Sequence, residues 1–138
     1  MELRKDAQTI LIPHQPTIRY ATPVIDKNGT MQAVLVVNLD ATQIIDQVAQ
    51  GSSPTWSLLF TNTQGYYYYH PDKDKRWGSS TDLNNGNNAF EDEVLSLASI
   101  KGSSEASSFE NADHFTLSQP VYLGEGRPSL GYLFSAAP

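Results

Sequence analysis

At 138 residues with 39% apolar side chains, the chain can bury one sizeable core and part of a second. A formal charge of −6, with only nine scattered lysines and arginines, argues against nucleic acid as a partner. The absence of cysteine excludes a disulfide framework and a thiol nucleophile, and no run of about 18 apolar residues is present to span a membrane.

Residues 1 to 16 form an irregular lead-in, too charged at Glu2, Arg4, Lys5 and Asp6 for a secretory signal. Thr17 to Ile25 has the composition of a strand, Asp26-Lys27-Asn28-Gly29 that of a tight turn, and Met31 to Asn38 that of a buried β-branched strand. Asp40 is placed to cap a helix by accepting from the amide three residues on. Gln43 then holds the capping-box position, and Leu39 and Ile44 form a staple. Ile44, Ile45 and Val48 supply the apolar stripe, and Gly51-Ser52-Ser53-Pro54 ends the helix.

Trp56 to Thr61 opens a second unit, turns at Asn62-Thr63-Gln64-Gly65 and returns through Tyr66 to His70. Residues 71 to 88 are polar, rich in Asn and Gly, and too long for a routine connection, so they form either a mobile lid or a binding loop. Asn88 and Glu91 predict the start of a helix that turns Phe90, Val94, Leu95 and Leu97 inward and stops at Lys101-Gly102. Glu105 to Asn111, His114 to Leu123 and Ser129 to Ala136 are predicted strands. The order β-β-loop-α-β-β-β implies an α+β unit with an antiparallel sheet and helices on one side.

The first and last hairpins share a pattern. Pro23-Val24 and Pro120-Val121 are each followed by a turn glycine five residues on, Gly29 and Gly126, and then by an apolar strand. This hints at two tandem units, the first represented by its tail.

Candidate chemistry concentrates between these hairpins. Tyr66 to Tyr69 must alternate across a strand, with Tyr67 and Tyr69 on one face and Tyr66, Tyr68 and His70 on the other. Either one face packs and the other walls a small-molecule pocket, or the tyrosines divide between core and surface. Arg76 has the forked donors that suit a ligand carboxylate, with His70 and Trp77 to shape the cavity; a solvated face is the competing reading for Lys73, Asp74 and Lys75. His70, Asp72 and Asp74 alternate, but the pattern falls short of a metal site. Asp82-Leu83-Asn84-Asn85-Gly86 departs from a calcium loop because its glycine stands fifth. There is no G-x-S-x-G, phosphate-cradling loop or H-E-x-x-H, so no catalysis, metal or cofactor is expected.

Two stretches resemble known sequences. Pro16-Thr17-Ile18-Arg19-Tyr20-Ala21-Thr22-Pro23-Val24, through Gly29 to Val36-Val37-Asn38-Leu39-Asp40, is similar to the run that closes the membrane-distal module of a double Cache (PDC) domain. Leu59 to Asp72, with Asn62, Gly65, Tyr67, His70, Pro71 and Asp72 in place, is similar to the hairpin that opens the membrane-proximal module. Gly78, after a basic and aromatic pair, also fits. The resemblance spans residues 10 to 138, densest over 16 to 78. It implies an extracytoplasmic, PAS-like sensor in three parts: residues 1–39 as the closing hairpin of a preceding distal module, 40–54 as a linker helix, and 55–138 as a complete proximal module.

The function so implied is binding of a small molecule, such as a carboxylate or an amino acid, and relay of that signal across the membrane to a histidine kinase, chemoreceptor or cyclic-dinucleotide output. The alternative is a ligand-free spacer or dimerisation module. Tyr67, Tyr69, His70, Arg76, Trp77 and Tyr122 are the expected ligand-binding residues. Flanking membrane helices and a periplasmic location follow from the same resemblance, and a homodimer is left open.

Overall fold

A few turns with strong local chemistry set the hairpins within each part of the chain. The computed structural model describes residues 1–89, 105–110, 115–122, 124 and 129–137, and divides into two units, Met1–Gln43 and Ile44–Pro138.

In the first unit, strands β1 (Glu2–Leu3), β2 (Lys5–Asp6), β3 (Thr9–Ile10), β4 (Pro16–Ile25) and β5 (Met31–Asp40) form a three-stranded sheet in the order β1-β4-β5 and a small β2-β3 ribbon. The β4–β5 turn is closed by Asp26, whose Oδ1 accepts from the amides of Asn28 at 2.8 Å and Thr30 at 2.9 Å. Its Oδ2 accepts from Gln32 Nε2 at 3.0 Å. The Thr30 and Asn28 amides, helped by Gln32, hold this carboxyl below the usual carboxylate range. Gly29 takes the left-handed conformation (φ +82°) that the turn demands.

The expectation that Met31 to Asn38 is a buried strand is not met. Every residue of β5 is exposed, with Val34, Leu35, Val36 and Val37 between 44% and 55% accessible. The antiparallel register places Leu35, Val37 and Leu39 on one face with Thr22, Tyr20 and Ile18. Only the base of the hairpin is covered, where Leu3, Thr17, Ile18 and Ala41 are buried. β-branched content specified the strand but not its burial.

Helix α1 (Thr42–Gly51) follows directly. Asp40 Oδ1 accepts from the amide of Thr42 at 2.8 Å and from its hydroxyl at 2.6 Å. The bond therefore reaches two residues on rather than three, because the helix starts at Thr42. These two bonds, the hydroxyl's first, lower the Asp40 carboxyl from its ordinary range. Ile44, Ile45 and Val48 are half-buried, as an apolar stripe requires.

The second unit holds β6 (Ser57–Thr61), β7 (Tyr67–Tyr69), a single 3₁₀ turn (Lys73–Lys75), β8 (Ser107–Glu110), β9 (Phe115–Tyr122) and β10 (Ser129–Ala137). Its five strands are antiparallel in the order β7-β6-β10-β9-β8. First and last strands thus lie side by side at the centre, Leu59 opposite Phe134 and Thr61 opposite Tyr132. Leu59, Tyr67, Ala89, Tyr132 and Phe134 form one buried cluster. A side chain at Gly131 would run into the Thr61 carbonyl, which is why the central pair needs glycine there. The helix expected to carry Val94, Leu95 and Leu97 lies outside the described residues.

Candidate functional site

The Tyr66–Trp77 segment is built around a hairpin turn like that of the first unit. Asn62 Oδ1 accepts from the amides of Gln64 at 2.9 Å and Tyr66 at 3.0 Å, and Gly65 takes φ +91°. Strand β7 then pairs with β6 through Thr61–Tyr67 and Phe60–Tyr69, with an irregularity between Phe60 and Thr61.

Both faces of β7 are covered. Tyr67 is 1% exposed and joins the Phe134 cluster, while Tyr68 and Tyr69 are 6% and 5% exposed. Tyr68 packs edge-on to Phe60, with centroids 5.3 Å apart, and lies 5.9 Å from the Trp77 ring. Burial, and then the Asp82 carboxylate, push the Tyr68 hydroxyl well above the usual phenol range.

The segment after β7 is tied down rather than loose. The amide of Trp77 donates to the Tyr67 carbonyl at 2.8 Å, that of Leu83 to the Trp77 carbonyl at 3.1 Å, and that of Ala89 to the Gly65 carbonyl at 2.9 Å. Asn85 Nδ2 donates to the carbonyls of Asp74 and Arg76, both at 3.0 Å. A Cβ on Gly78 would sit 2.5 Å from the Asn87 carbonyl oxygen, so this loop closes only on glycine. Trp77 itself holds φ +59°, a strained value for a bulky residue, and is buried.

This loop brings together five of the residues singled out from sequence. The Arg76 guanidinium stacks over the Tyr69 ring, 4.4 Å from its centroid, and its Nε donates to the His70 carbonyl at 2.6 Å. His70 packs edge-on to Tyr67 with centroids 4.8 Å apart, and its Nδ1 accepts from the Asp72 amide at 2.9 Å. With Nδ1 an acceptor, a neutral His70 carries its proton on Nε2. Trp77 is linked to the same group through Tyr67 and Tyr68. Tyr122 stands apart: it lies on β9, with β6 and β10 between it and β7, and is 45% exposed.

Two polar residues that sequence reasoning passed over lie on β9. Its alternation is inverted, with Thr116, Ser118 and Pro120 buried while Phe115, Leu117 and Gln119 face out. The Thr116 Oγ1 and Ser118 Oγ atoms are sealed from solvent and have no hydrogen-bond partner among the described residues. The signal was the alternation itself, once the apolar set is allowed to face outward. On the opposite face, Leu117, Gln119, Leu133 and Ser135 line a depression of about 340 Å³.

A larger cavity, about 640 Å³, lies in the first unit among Glu2, Arg4, Lys5, Arg19 and Asp40. Its charges are partly matched: Arg19 pairs with Glu2 at 3.1 Å and donates to Asn38 Oδ1 at 3.1 Å. Among the described residues, no three His, Asp or Glu side chains cluster as metal ligands. No described helix is long and apolar enough to cross a membrane.

No family model matches the sequence, and no curated protein matches it either. Solved structures do match in fold. The periplasmic sensory domain of the Campylobacter jejuni chemoreceptor Tlp1 superimposes with a TM-score of 0.69 at 12% identity, over 100% of this chain and 48% of that one. The extracellular domain of the histidine kinase vpHK1S-Z8 gives 0.68 at 19% identity, over 99% and 47%. A domain of a sensory box/GGDEF family protein from Vibrio parahaemolyticus gives 0.67 at 19% identity, over 99% and 49%. The fold is therefore the α+β, PAS-like one of Cache/PDC-type sensor domains, and the chain spans about half the length of each of these neighbours.

Proposed function

We propose that this chain belongs to the extracytoplasmic sensory region of a bacterial membrane receptor, and that its second unit binds a small carboxylate ligand at Arg76. One observation carries the reading. Arg76 is fixed by the Tyr69 ring and the His70 carbonyl, while its two Nη groups make no hydrogen bond among the described residues. A half-buried guanidinium held this way has already lost much of its rotamer freedom, so a ligand that takes both Nη donors does not bear that cost. Tyr67, Tyr69, His70 and Trp77 are the seat that orients it.

The work done is transduction without chemistry. Strand β10 is hydrogen-bonded to both β6 and β9, so a ligand that favours one packing of the unit biases the position of the closing strand. Residues 1–39 are the closing hairpin of a preceding module, 40–54 the linker helix and 55–138 the ligand-binding module. The exposed apolar faces of β5 support this, as does the doubled length of the solved neighbours. The location is periplasmic, anchored by flanking helices, with a kinase, chemoreceptor or GGDEF output.

A second reading has its own observation. Tyr67, Tyr68 and Tyr69 are almost fully buried and fill the space beneath β7, as a ligand-free spacer would require. Thermal-shift screening against carboxylates and amino acids separates the two. The sensor reading expects a stabilising ligand whose effect is lost in Arg76→Ala and weakened in Arg76→Lys, which lacks the planar fork. No response to any carboxylate, with unchanged folding of Arg76→Ala, would overturn the Arg76 site and favour the spacer.

A further inference from the structure

The two hydroxyls on β9 lead to a site independent of Arg76. Thr116 and Ser118 are each 2% exposed and lie two residues apart on one face of the strand. Their side chains therefore project in the same direction, roughly 7 Å apart along it. Ser118 is opposite Phe134 on β10 and Ser107 on β8, and Thr116 is opposite Ala136. On the same face Thr61 is also buried, but its hydroxyl donates to the Asn62 carbonyl at 2.9 Å. The β9 pair has no such outlet among the described residues.

Neither hydroxyl is needed for shape. Valine matches threonine in volume, and alanine nearly matches serine, so an apolar β9 would pack equally well without stranding two polar atoms. An unpaired buried hydroxyl is unfavourable, and two side by side on one face are a feature that ordinary core packing does not produce. The strand also turns its apolar residues the other way, with Leu117 43% exposed.

We infer that Thr116 and Ser118 are the polar contacts of a ligand site on the inner face of the second unit, and that the ligand is a small uncharged molecule bearing amide- or hydroxyl-type groups. Hydroxyls both donate and accept, so the pair serves either end of an amide or an alcohol. Leu59, Thr61, Tyr67, Pro120, Tyr132 and Phe134, on the same face, are all uncharged, so an ionised ligand would meet no counter-charge among these described residues. Tyr132 and Phe134, with centroids 6.2 Å apart, offer an aromatic surface for its apolar part.

The test compares the chain with Thr116→Val, Ser118→Ala and the double variant, using thermal shift and NMR titration with acetamide and, separately, acetate. Removing unpaired hydroxyls should raise the melting temperature of the ligand-free chain by a few degrees. It should also weaken acetamide binding about tenfold, the loss expected for one or two hydrogen bonds. Amide shifts on acetamide addition should centre on residues 116–118 and 132–134. Acetate, isosteric but charged, reports on Arg76 and should respond to neither substitution, so the two sites fail separately. A lower melting temperature in the variants would show that the hydroxyls are satisfied in the folded chain and overturn the site. A wild-type chain that does not respond to acetamide would overturn it as well.

Discussion

Placing lysine at Leu35 or Val37 tests whether β5 is as open in solution as in the structure. Both side chains are about half exposed, and both lie on the face they share with Ile18 and Tyr20. Full burial of a Leu or Val is worth about 1.5–3 kcal/mol, so roughly half of that, ~1 kcal/mol, is realised here. A lysine stem covers much of the same surface while its ammonium stays in water. The expected cost of Leu35→Lys or Val37→Lys is therefore below about 1 kcal/mol, less than a tenfold change in protection. Ile18→Lys, on the same face but 5% exposed, is the control and should cost about 3 kcal/mol or more. The assay is native-state hydrogen exchange at the amides of the β4–β5 ladder, with dye binding as a measure of apolar surface. Losses of two orders of magnitude in protection at Leu35→Lys or Val37→Lys would show that this face is covered in solution, and would refute the argument.

Gly131→Ala should be among the most damaging small substitutions, because the new methyl meets the Thr61 carbonyl between the two central strands; urea denaturation should show a loss of about 3 kcal/mol or more. Tyr68 sets an alkaline limit. Its folded pKa lies above the unfolded value of about 10, so its contribution is complete below pH 10. That contribution falls by about 1.4 kcal/mol per unit as pH rises above 10, and Tyr68→Phe should flatten the slope seen in unfolding curves. Asp26 acts at the other end. Its folded pKa lies below the model-peptide value of 3.8, so its stabilisation is present above that pH and is lost as pH falls through the lowered value. Asp26→Asn should remove this acid dependence from hydrogen exchange of the first hairpin while leaving the second unit's unchanged.

Local chemistry was the part of the fold most open to reading. The Asp26 and Asn62 turns announce themselves because a carboxylate or amide followed by a glycine closes its own hydrogen bonds within four residues. The closing hairpin, read as His114–Leu123 and Ser129–Ala136, is found as Phe115–Tyr122 and Ser129–Ala137. Long-range order was less accessible. Nothing in residues 57–61 or 129–137 states that they are neighbours; the pairing rests on Gly131 clearing the Thr61 carbonyl, a contact between residues 70 positions apart. The Asp40 cap was placed one residue off because carboxylates bond equally well to amides two or three positions on, and the helix start decides between them.

Burial was the least legible property: composition misled on β5 and was silent on β9. In β5 a β-branched run suggested a core strand, yet residue type reports only compatibility with an extended backbone. Whether a face is covered depends on the layers beside it, and the first unit supplies only a three-stranded sheet and a short two-stranded ribbon. In β9 residue type carried no signal for Thr116 and Ser118, and both lie inside. The tyrosines fall between these cases: their buried rings were foreseeable from their number, but not that both faces of β7 would be filled. That filling changes what the Tyr66–Trp77 segment can do. Since Tyr67, Tyr68 and Tyr69 leave no open wall, any ligand there must meet the half-buried Arg76 at the rim, whereas an enclosed ligand must seek the unpaired hydroxyls of β9. Where the buried polar atoms have no partner is thus a sharper guide to a site than where the aromatic residues are most numerous.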